Sequence, residues 1–306
     1  MAEAERSTVE VDGRRLSLSN LDKVLFPDGF TKGEVVDYYV RVAPVLLPHV
    51  TGRPMSFQRF PDGTATKGFF AKNAPRGTPD WVRTVELPAP GSSMDRETLD
   101  YVVVDDLPTL VWAANLAALE LHVPQWSVGP RGGVREPDRL VLDLDPGEGC
   151  TVIDCCRVAL DLRERLAADG VTAWAKTSGS KGLHLLAALR DATPDAARAY
   201  ARRVAQELET RDPDRVVSRM TKADRTGRVF IDWSQNSASK TTAVPYTVRA
   251  RELPTVSTPL TWDEVAAAGA PEQLGFTVAD VPGRLADRGD LLAGLLDPGG
   301  AGRLPG

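Results

Sequence analysis

Three acidic residues and one glycine-rich turn carry most of the chemistry this chain could do. Asp143 and Asp145 stand in Arg-Leu-Val-Leu-Asp-Leu-Asp-Pro, and Asp232 closes Val-Phe-Ile-Asp. Apolar residues alternate with the first two carboxylates, which predicts a strand carrying both side chains on one face, about 7 Å apart. Like charges held that close repel each other, and a divalent cation between them relieves the repulsion. The third acid has large apolar neighbours, Phe230, Ile231 and Trp233, which argues against simple solvation. Three carboxylates can hold two divalent ions about 3.5 to 4 Å apart, one serving the attacking oxygen and the other the leaving oxygen of a phosphoryl displacement. Asp-x-Asp by itself is less specific, because it also serves sugar-nucleotide transferases and phosphatases and forms turns.

Between the early pair and the late acid lies Ser178-Gly-Ser-Lys-Gly-Leu-His184. Its glycines let backbone amides approach an anion, Ser178 and Lys181 add a donor and a charge, and His184 can donate to a phosphate oxygen. The segment reads as a triphosphate cradle, with a plain glycine turn as the alternative; it does not match a Walker A loop. Residues 211–251 hold nine Lys/Arg against four Asp, in a chain whose net charge is −5. That local excess beside Asp232 suits a polyanion, or is a solvated surface of mixed charge. In Lys67-Gly-Phe69-Phe70-Ala-Lys72 rings and cations interleave, as base stacking requires; adjacent strand residues point opposite ways, so at most one ring can enter a core. His122, before Pro124, is on its own a capping or core histidine.

These residues need a scaffold of strands and helices. Residues 8–19 alternate around Asp12-Gly13 and predict a hairpin. Thr31-Lys-Gly-Glu34 is a capping box that opens a helix with Val35, Val36, Tyr39 and Val42 on one stripe, up to the Pro44 to Pro48 region. Short strands are expected at 55–60, 68–71 and 99–104, and a helix over 107–121. From Leu140 the order becomes strand (140–144), helix (151–168), strands (172–176 and 183–189), helix (194–209) and strand (229–233), with a last helix opened by Thr261-Trp-Asp-Glu264. An α/β (α+β) fold follows: a catalytic core of β-sheets flanked by helices over about 136–296, a smaller N-terminal α/β unit over about 18–135, a hairpin or tail at 1–17 and a flexible tail at 297–306.

At 306 residues, 42% hydrophobic and 26% charged, the chain falls in the range of soluble globular proteins of one large domain or two. No apolar run reaches a membrane span, and the first residues are no secretory signal, so a cytoplasmic location and no membrane partner are expected. Cys150, Cys155 and Cys156 form an odd cluster without a nearby histidine and read as free thiols in a reducing compartment.

The order Asp-Leu-Asp-Pro, Ser-Gly-Ser-Lys-Gly-Leu-His, Ile-Asp-Trp-Ser-Gln-Asn resembles the three motifs of the archaeo-eukaryotic primase superfamily. Within it the chain is similar to the polymerase domain of bacterial end-joining DNA ligase D, from about Leu18 to about Leu296. Leu21-Asp-Lys-Val-Leu-Phe-Pro27, Lys67-Gly-Phe-Phe70, Leu119-Glu-Leu-His122 and the segment from Lys240 to Arg249 fit that pattern. The resemblance implies a primase-like nucleotidyltransferase that adds NTPs at DNA gaps and ends in double-strand break repair by non-homologous end joining. It implies two catalytic metals, Mn²⁺ favoured over Mg²⁺, on Asp143, Asp145 and Asp232. By the same likeness Ser178, Lys181, His184, Arg225 and Arg249 contact the nucleotide phosphates, and His122 lies near the sugar. Lys23 and Lys32 capture the 5′-phosphate of a DNA end, and Phe69 and Phe70 stack on template bases. Gln58 replaces a lysine that relatives carry near the sugar, which leaves the family's ribonucleotide preference open. The chain has no Lys-x-Asp-Gly, so sealing is expected to need a separate ATP-dependent ligase, with a Ku-like end-bridging partner. A DNA-end-binding adaptor with weak chemistry is the rival reading.

Overall fold

The computed structural model describes residues 6–89 and 96–305. A hairpin of Arg6–Val11 and Arg14–Ser19 turns at Asp12 and Gly13, both at positive φ. Helix α1 (Lys32–Val50) follows, with the Thr31/Glu34 capping box formed, and runs through Pro44 and Pro48. Leu16 and Leu18 of the hairpin pack in the same core as α1, so the hairpin is part of the N-terminal unit. Next come β1 (Ser56–Arg59), β2 (Phe69–Ala71), a hairpin of Thr84–Pro88 with Thr98–Val102, α2 (Leu107–Asn115) and β3 (Ala118–Val123).

The helix expected over 107–121 is divided. It stops at Asn115, Ala117 takes a φ of 55°, and the chain re-enters as strand β3. Ala-Leu-Glu-Leu favours helix by well under about 1 kcal/mol per residue, whereas all six residues of β3 are buried in the middle of a sheet. Tertiary burial outweighs local preference, and His122 therefore sits on a strand rather than at a helix end.

The second half contains β4 (Arg139–Pro146), α3 (Val152–Ala168), β5 (Ala173–Thr177), β6 (Leu183–Ala188), α4 (Pro194–Arg211), β7 (Val216–Val217), β8 (Val229–Asp232) and β9 (Thr242–Ala243). A hairpin of Val248–Ala250 with Pro254–Val256, strand β10 (Pro259–Leu260), α5 (Trp262–Ala267) and α6 (Asp280–Arg288) complete it. The larger sheet has the order β7-β8-β4-β6-β5-β10 and the smaller one β9-β3-β1-β2. Strand alternation gives each sheet a covered face. Leu140, Leu142 and Leu144 share a core with Leu183, Leu185, Ile231 and the apolar stripes of α3 and α4. Leu119, Leu121 and Val123 share a second core with α1 and α2. On the other face of the larger sheet Val141 and Leu186 pack with Leu292 and Leu295 at one end, and the remaining alternate residues, Asp143 and Asp145 among them, are left for other work.

The flexible tail expected at 297–306 is instead tied down as far as Arg303. Gly302 bridges Leu189, exchanges backbone hydrogen bonds with Ala188 and Arg190, and is followed by a 2.6 Å ion pair between Arg303 and Asp191. Gly and Pro suggested fraying, but the small residue is there because the backbone of Gly170 passes close by. Among the described residues no helix is long and apolar enough to cross a membrane.

Candidate active site

Antiparallel register lines up the candidate residues across four strands. Asp232 on β8 is the direct partner of Asp143 on β4, Asp143 is the partner of His184 on β6, and His184 is the partner of Lys176 on β5. Directly opposed residues share a face. The four side chains thus form one row on the face the helices leave free, and Asp145, opposite Phe230, joins them one step along β4.

The carboxylates are crowded. Burial pushes the pKa of Asp143 well above the usual range, and the charges of Asp145 and Asp232 push it further. Asp145 is raised by burial and by Asp232, with Arg225 opposing. Asp232 is engaged differently: its Oδ1 accepts from the Ser234 N–H at 2.9 Å and hydroxyl at 2.6 Å, and its Oδ2 from the Gln235 amide at 2.9 Å. It thereby caps the short turn Trp233–Asn236. As the side chains stand, no three His, Cys, Asp or Glu among the described residues form a ready-made cation cage. The donor chemistry nevertheless fits a hard divalent cation, since the three acids offer only oxygen and their repulsion falls when a cation is shared.

The Ser178–Gly182 turn is built by its own serine. The Ser178 N–H donates to Gly182 O at 2.9 Å, and Ser178 Oγ accepts from the amides of Ser180 (3.2 Å) and Gly182 (3.1 Å). With its oxygen used as acceptor, the hydroxyl proton is left to donate. A Cβ at Gly182 would lie 2.0 Å from Leu144 O, and one at Gly179 2.6 Å from the Arg249 side chain, so both close approaches require glycine. Arg249 Nη1 donates to Ser178 O at 2.7 Å. Its Nε lies 3.0 Å from Glu120 Oε2, as an ion pair out of line for a hydrogen bond. Arg225 stacks on Phe230, its Cζ 3.6 Å from the ring centroid.

Asp143, Asp145 and all six residues assigned to the nucleotide line one open cavity of about 670 Å³ between the sheets, together with Lys222, Gln235 and Arg251. A second cavity, of about 660 Å³, lies across the Ser178–Gly182 turn, is walled by Val152, Leu274 and Phe276, and contains none of the three aspartates. On the first cavity's opposite wall, Glu120 Oε2 meets His122 Nε2 at 3.0 Å, and Oε1 accepts from the Ala250 N–H at 2.9 Å. Burial pulls Glu120 upward, but the His122 hydrogen bond, the Arg249 charge and the Ala250 amide together hold its pKa at about 2. Burial lowers the pKa of His122, with the Glu120 carboxylate opposing. The Phe70 ring stands edge-on to His122, centroids 5.5 Å apart. Phe69 and Phe70 are both exposed, at 47% and 56%, because β2 is an edge strand. Gln58 is the register partner of both Phe70 and Glu120.

Lys23 and Lys32 lie outside this cavity but beside each other. The Lys32 N–H donates to Lys23 O at 2.9 Å, Lys32 Nζ reaches Asn115 O at 3.2 Å, and Lys23 Nζ is 3.2 Å from Asp62. Burial, then the charge of Lys23, lowers the pKa of Lys32.

Residues 31–292 match the family model of the LigD primase-polymerase domain. The chain belongs to that family. It is 43% identical over 284 residues to the multifunctional non-homologous end joining protein LigD of Mycolicibacterium smegmatis, covering 92% of this chain and 36% of that protein. It is 30% identical over 278 residues to the bifunctional LigD of Bacillus subtilis, covering 90% and 43%. The polymerase domain of Mycobacterium tuberculosis ligase D, solved in complex with DNA, matches with a TM-score of 0.86 and 42% identity over 92% of this chain and 98% of that one. The chain thus spans about two fifths of the length of the M. smegmatis and B. subtilis LigD proteins, and its mixed α/β architecture is that of the LigD polymerase domain. Membership of a primase-polymerase family implies nucleotidyltransferase chemistry.

Two side chains of this LigD-type domain escaped the sequence reading. Glu120 stands two residues before His122, but a helical assignment put the two on different faces. Lys176 was legible as a cation in the apolar strand Ala-Trp-Ala-Lys-Thr, two residues before Ser178.

Proposed function

We propose that this LigD-type domain is a template-directed nucleotidyltransferase that adds NTPs, ribonucleotides by preference, at DNA gaps and ends during break repair by non-homologous end joining in the cytoplasm. The observation that carries the reading is the row of Asp232, Asp143 and His184 across three adjacent strands, with the Ser178–Gly182 turn at one end. Two divalent ions, Mn²⁺ or Mg²⁺, held by Asp143, Asp145 and Asp232, would supply charge stabilisation to the attacking and leaving oxygens. The chain's own donors do the rest.

The Ser178 hydroxyl, Lys181, His184, Arg225 and Arg249 hold the triphosphate so that its α-phosphorus faces a primer 3′-hydroxyl. Lys181 and Arg249 meet the charge that develops on departing pyrophosphate. His122 and Gln58 border the sugar, and Phe69 and Phe70 offer ring faces to template bases. Lys23 and Lys32, two cations gathered at one place, receive the 5′-phosphate across the gap. Nick sealing is left to a separate ATP-dependent ligase, and a Ku-like protein bridges the ends. The DNA complex of the M. tuberculosis domain supports the nucleic-acid half of this reading.

The test is incorporation on a gapped duplex with a 5′-phosphate, comparing NTP with dNTP and Mn²⁺ with Mg²⁺. Metal-dependent, template-matched extension that disappears in Asp143→Ala is expected. End binding with no extension under any metal would favour the adaptor instead.

A further inference from the structure

One buried carboxylate stands behind two residues of the nucleotide cavity without lining the cavity itself. Glu120 Oε2 lies 3.0 Å from His122 Nε2 and 3.0 Å from Arg249 Nε, and Oε1 accepts from the Ala250 N–H at 2.9 Å. The first two of these partners line the cavity, and the third is the backbone next to Arg249. A guanidinium is planar and rigid, so two contacts fix the direction of its remaining nitrogen. Arg249 has those two contacts, Glu120 beside Nε and Ser178 O at 2.7 Å from Nη1. Its Nη2 has no protein acceptor among the described residues, and the side chain faces the cavity. The His122 ring is held in the same way, by Glu120 at Nε2 and by the Phe70 ring standing edge-on to it. Both placements depend on one oxygen, Oε2.

We propose that Glu120 is a positioning residue that holds the Arg249 guanidinium and the His122 ring in one arrangement, so that the groups facing phosphate and sugar are set together before a nucleotide enters. The proposal rests on reading the cavity as a nucleotide site. Arg249 and Ala250 present N–H groups to Glu120, and His122 turns a ring nitrogen toward it. An ionised carboxylate accepts at both oxygens, whereas a glutamine has one accepting oxygen and an NH₂ that would face a donor. By charge alone a carboxylate so near a polyanion site opposes binding, and removing it would tighten the nucleotide. Positioning predicts the opposite sign, because a cavity whose donors are already aimed spends less of its binding energy on ordering them. Glu120 touches no reacting atom, so its effect falls on nucleotide capture and not on the chemical step.

Gap filling by Glu120→Gln, at a temperature where circular dichroism shows it folded, should give a KM for NTP raised about tenfold with kcat changed less than about threefold. In an Arg249→Ala background, where the group to be placed is gone, the same substitution should change KM by less than about threefold. A KM that falls or stays level in Glu120→Gln overturns the proposal, and so does a full tenfold rise on top of Arg249→Ala. Crystals of the nucleotide-free and metal-free chain supply a readout that needs no activity. The parent is expected to keep Arg249 between Glu120 and Ser178 O, and Glu120→Gln to show Arg249 and His122 in new or multiple rotamers. A parent with Arg249 turned away from Glu120 overturns the proposal before any variant is made, and so do unmoved side chains in Glu120→Gln. If the glutamine variant does not fold, Glu120→Asp takes its place, because the charge remains on an arm too short to hold both partners, and the same outcomes decide. A chain with no polymerase activity but with the expected crystal differences would count against the nucleotide reading alone.

Discussion

Glu120→Gln isolates one charge at the seam of the active site. The Glu120 side chain is only 3% exposed, yet its pKa is held at about 2 against an ordinary 4.5, because the His122 hydrogen bond, the Arg249 guanidinium and the Ala250 amide outweigh burial. A depression of about two and a half units corresponds to about 3 kcal/mol of stability. The folded value lies below the unfolded one, so this stability is fully present above pH 4.5 and is lost as pH falls toward 2. Glutamine keeps the shape and an oxygen for Ala250 but leaves Arg249 without its carboxylate, which independently costs a few kcal/mol. Urea unfolding followed by tryptophan fluorescence should find Glu120→Gln less stable by about 3 kcal/mol at pH 7 and by about 1 kcal/mol at pH 3. An equal gap at both pH values, or no gap at pH 7, would refute the assignment of a deeply ionised, load-sharing carboxylate.

Asp145→Asn removes one of three mutually repelling groups, so the metal-free Tm should rise by about 2 to 4 °C while primer extension is abolished, as calorimetry and a gel assay can check. The raised pKa values of Asp143 and Asp145 mean that protons must leave before a cation binds; Mn²⁺ should therefore lift Tm more at pH 8 than at pH 6, and an equal lift would count against these ligands. Phe70→Ala should weaken template binding by about 1 to 3 kcal/mol, with stability changed by under about 0.5 kcal/mol, because the ring is exposed. Lys32→Ala should bind gapped duplexes bearing 5′-phosphate and 5′-hydroxyl equally in an anisotropy titration, whereas the parent prefers the phosphate.

The larger sheet was legible because its chemistry follows the period of a strand. Alternation across 139–146 placed Asp143 and Asp145 on one face, and the glycines of 178–182 marked the turn beside them. The partnership of Asp143 with Asp232 was not visible, since register between segments some ninety positions apart depends on packing that no local pattern records. His122 was put on a helix because Ala-Leu-Glu-Leu favours one, and that error also hid Glu120. Both phenylalanines proved exposed, a consequence of edge position rather than of alternation. Neither the capping of the turn by Asp232 nor the contact of Lys176 with His184 could be read without coordinates, because each depends on side-chain direction within a shared face.

Arg249 is held at one end by the carbonyl of Ser178, on the turn of the larger sheet, and at the other by Glu120, on the central strand of the smaller one. Each sheet is anchored in its own apolar core. The guanidinium is therefore a strut of fixed length across the gap between two halves, and whatever draws it from either anchor changes how far apart the walls stand. A lysine there would keep the charge and lose the span, so the width of the gap is a property of this one side chain as much as of the two sheets.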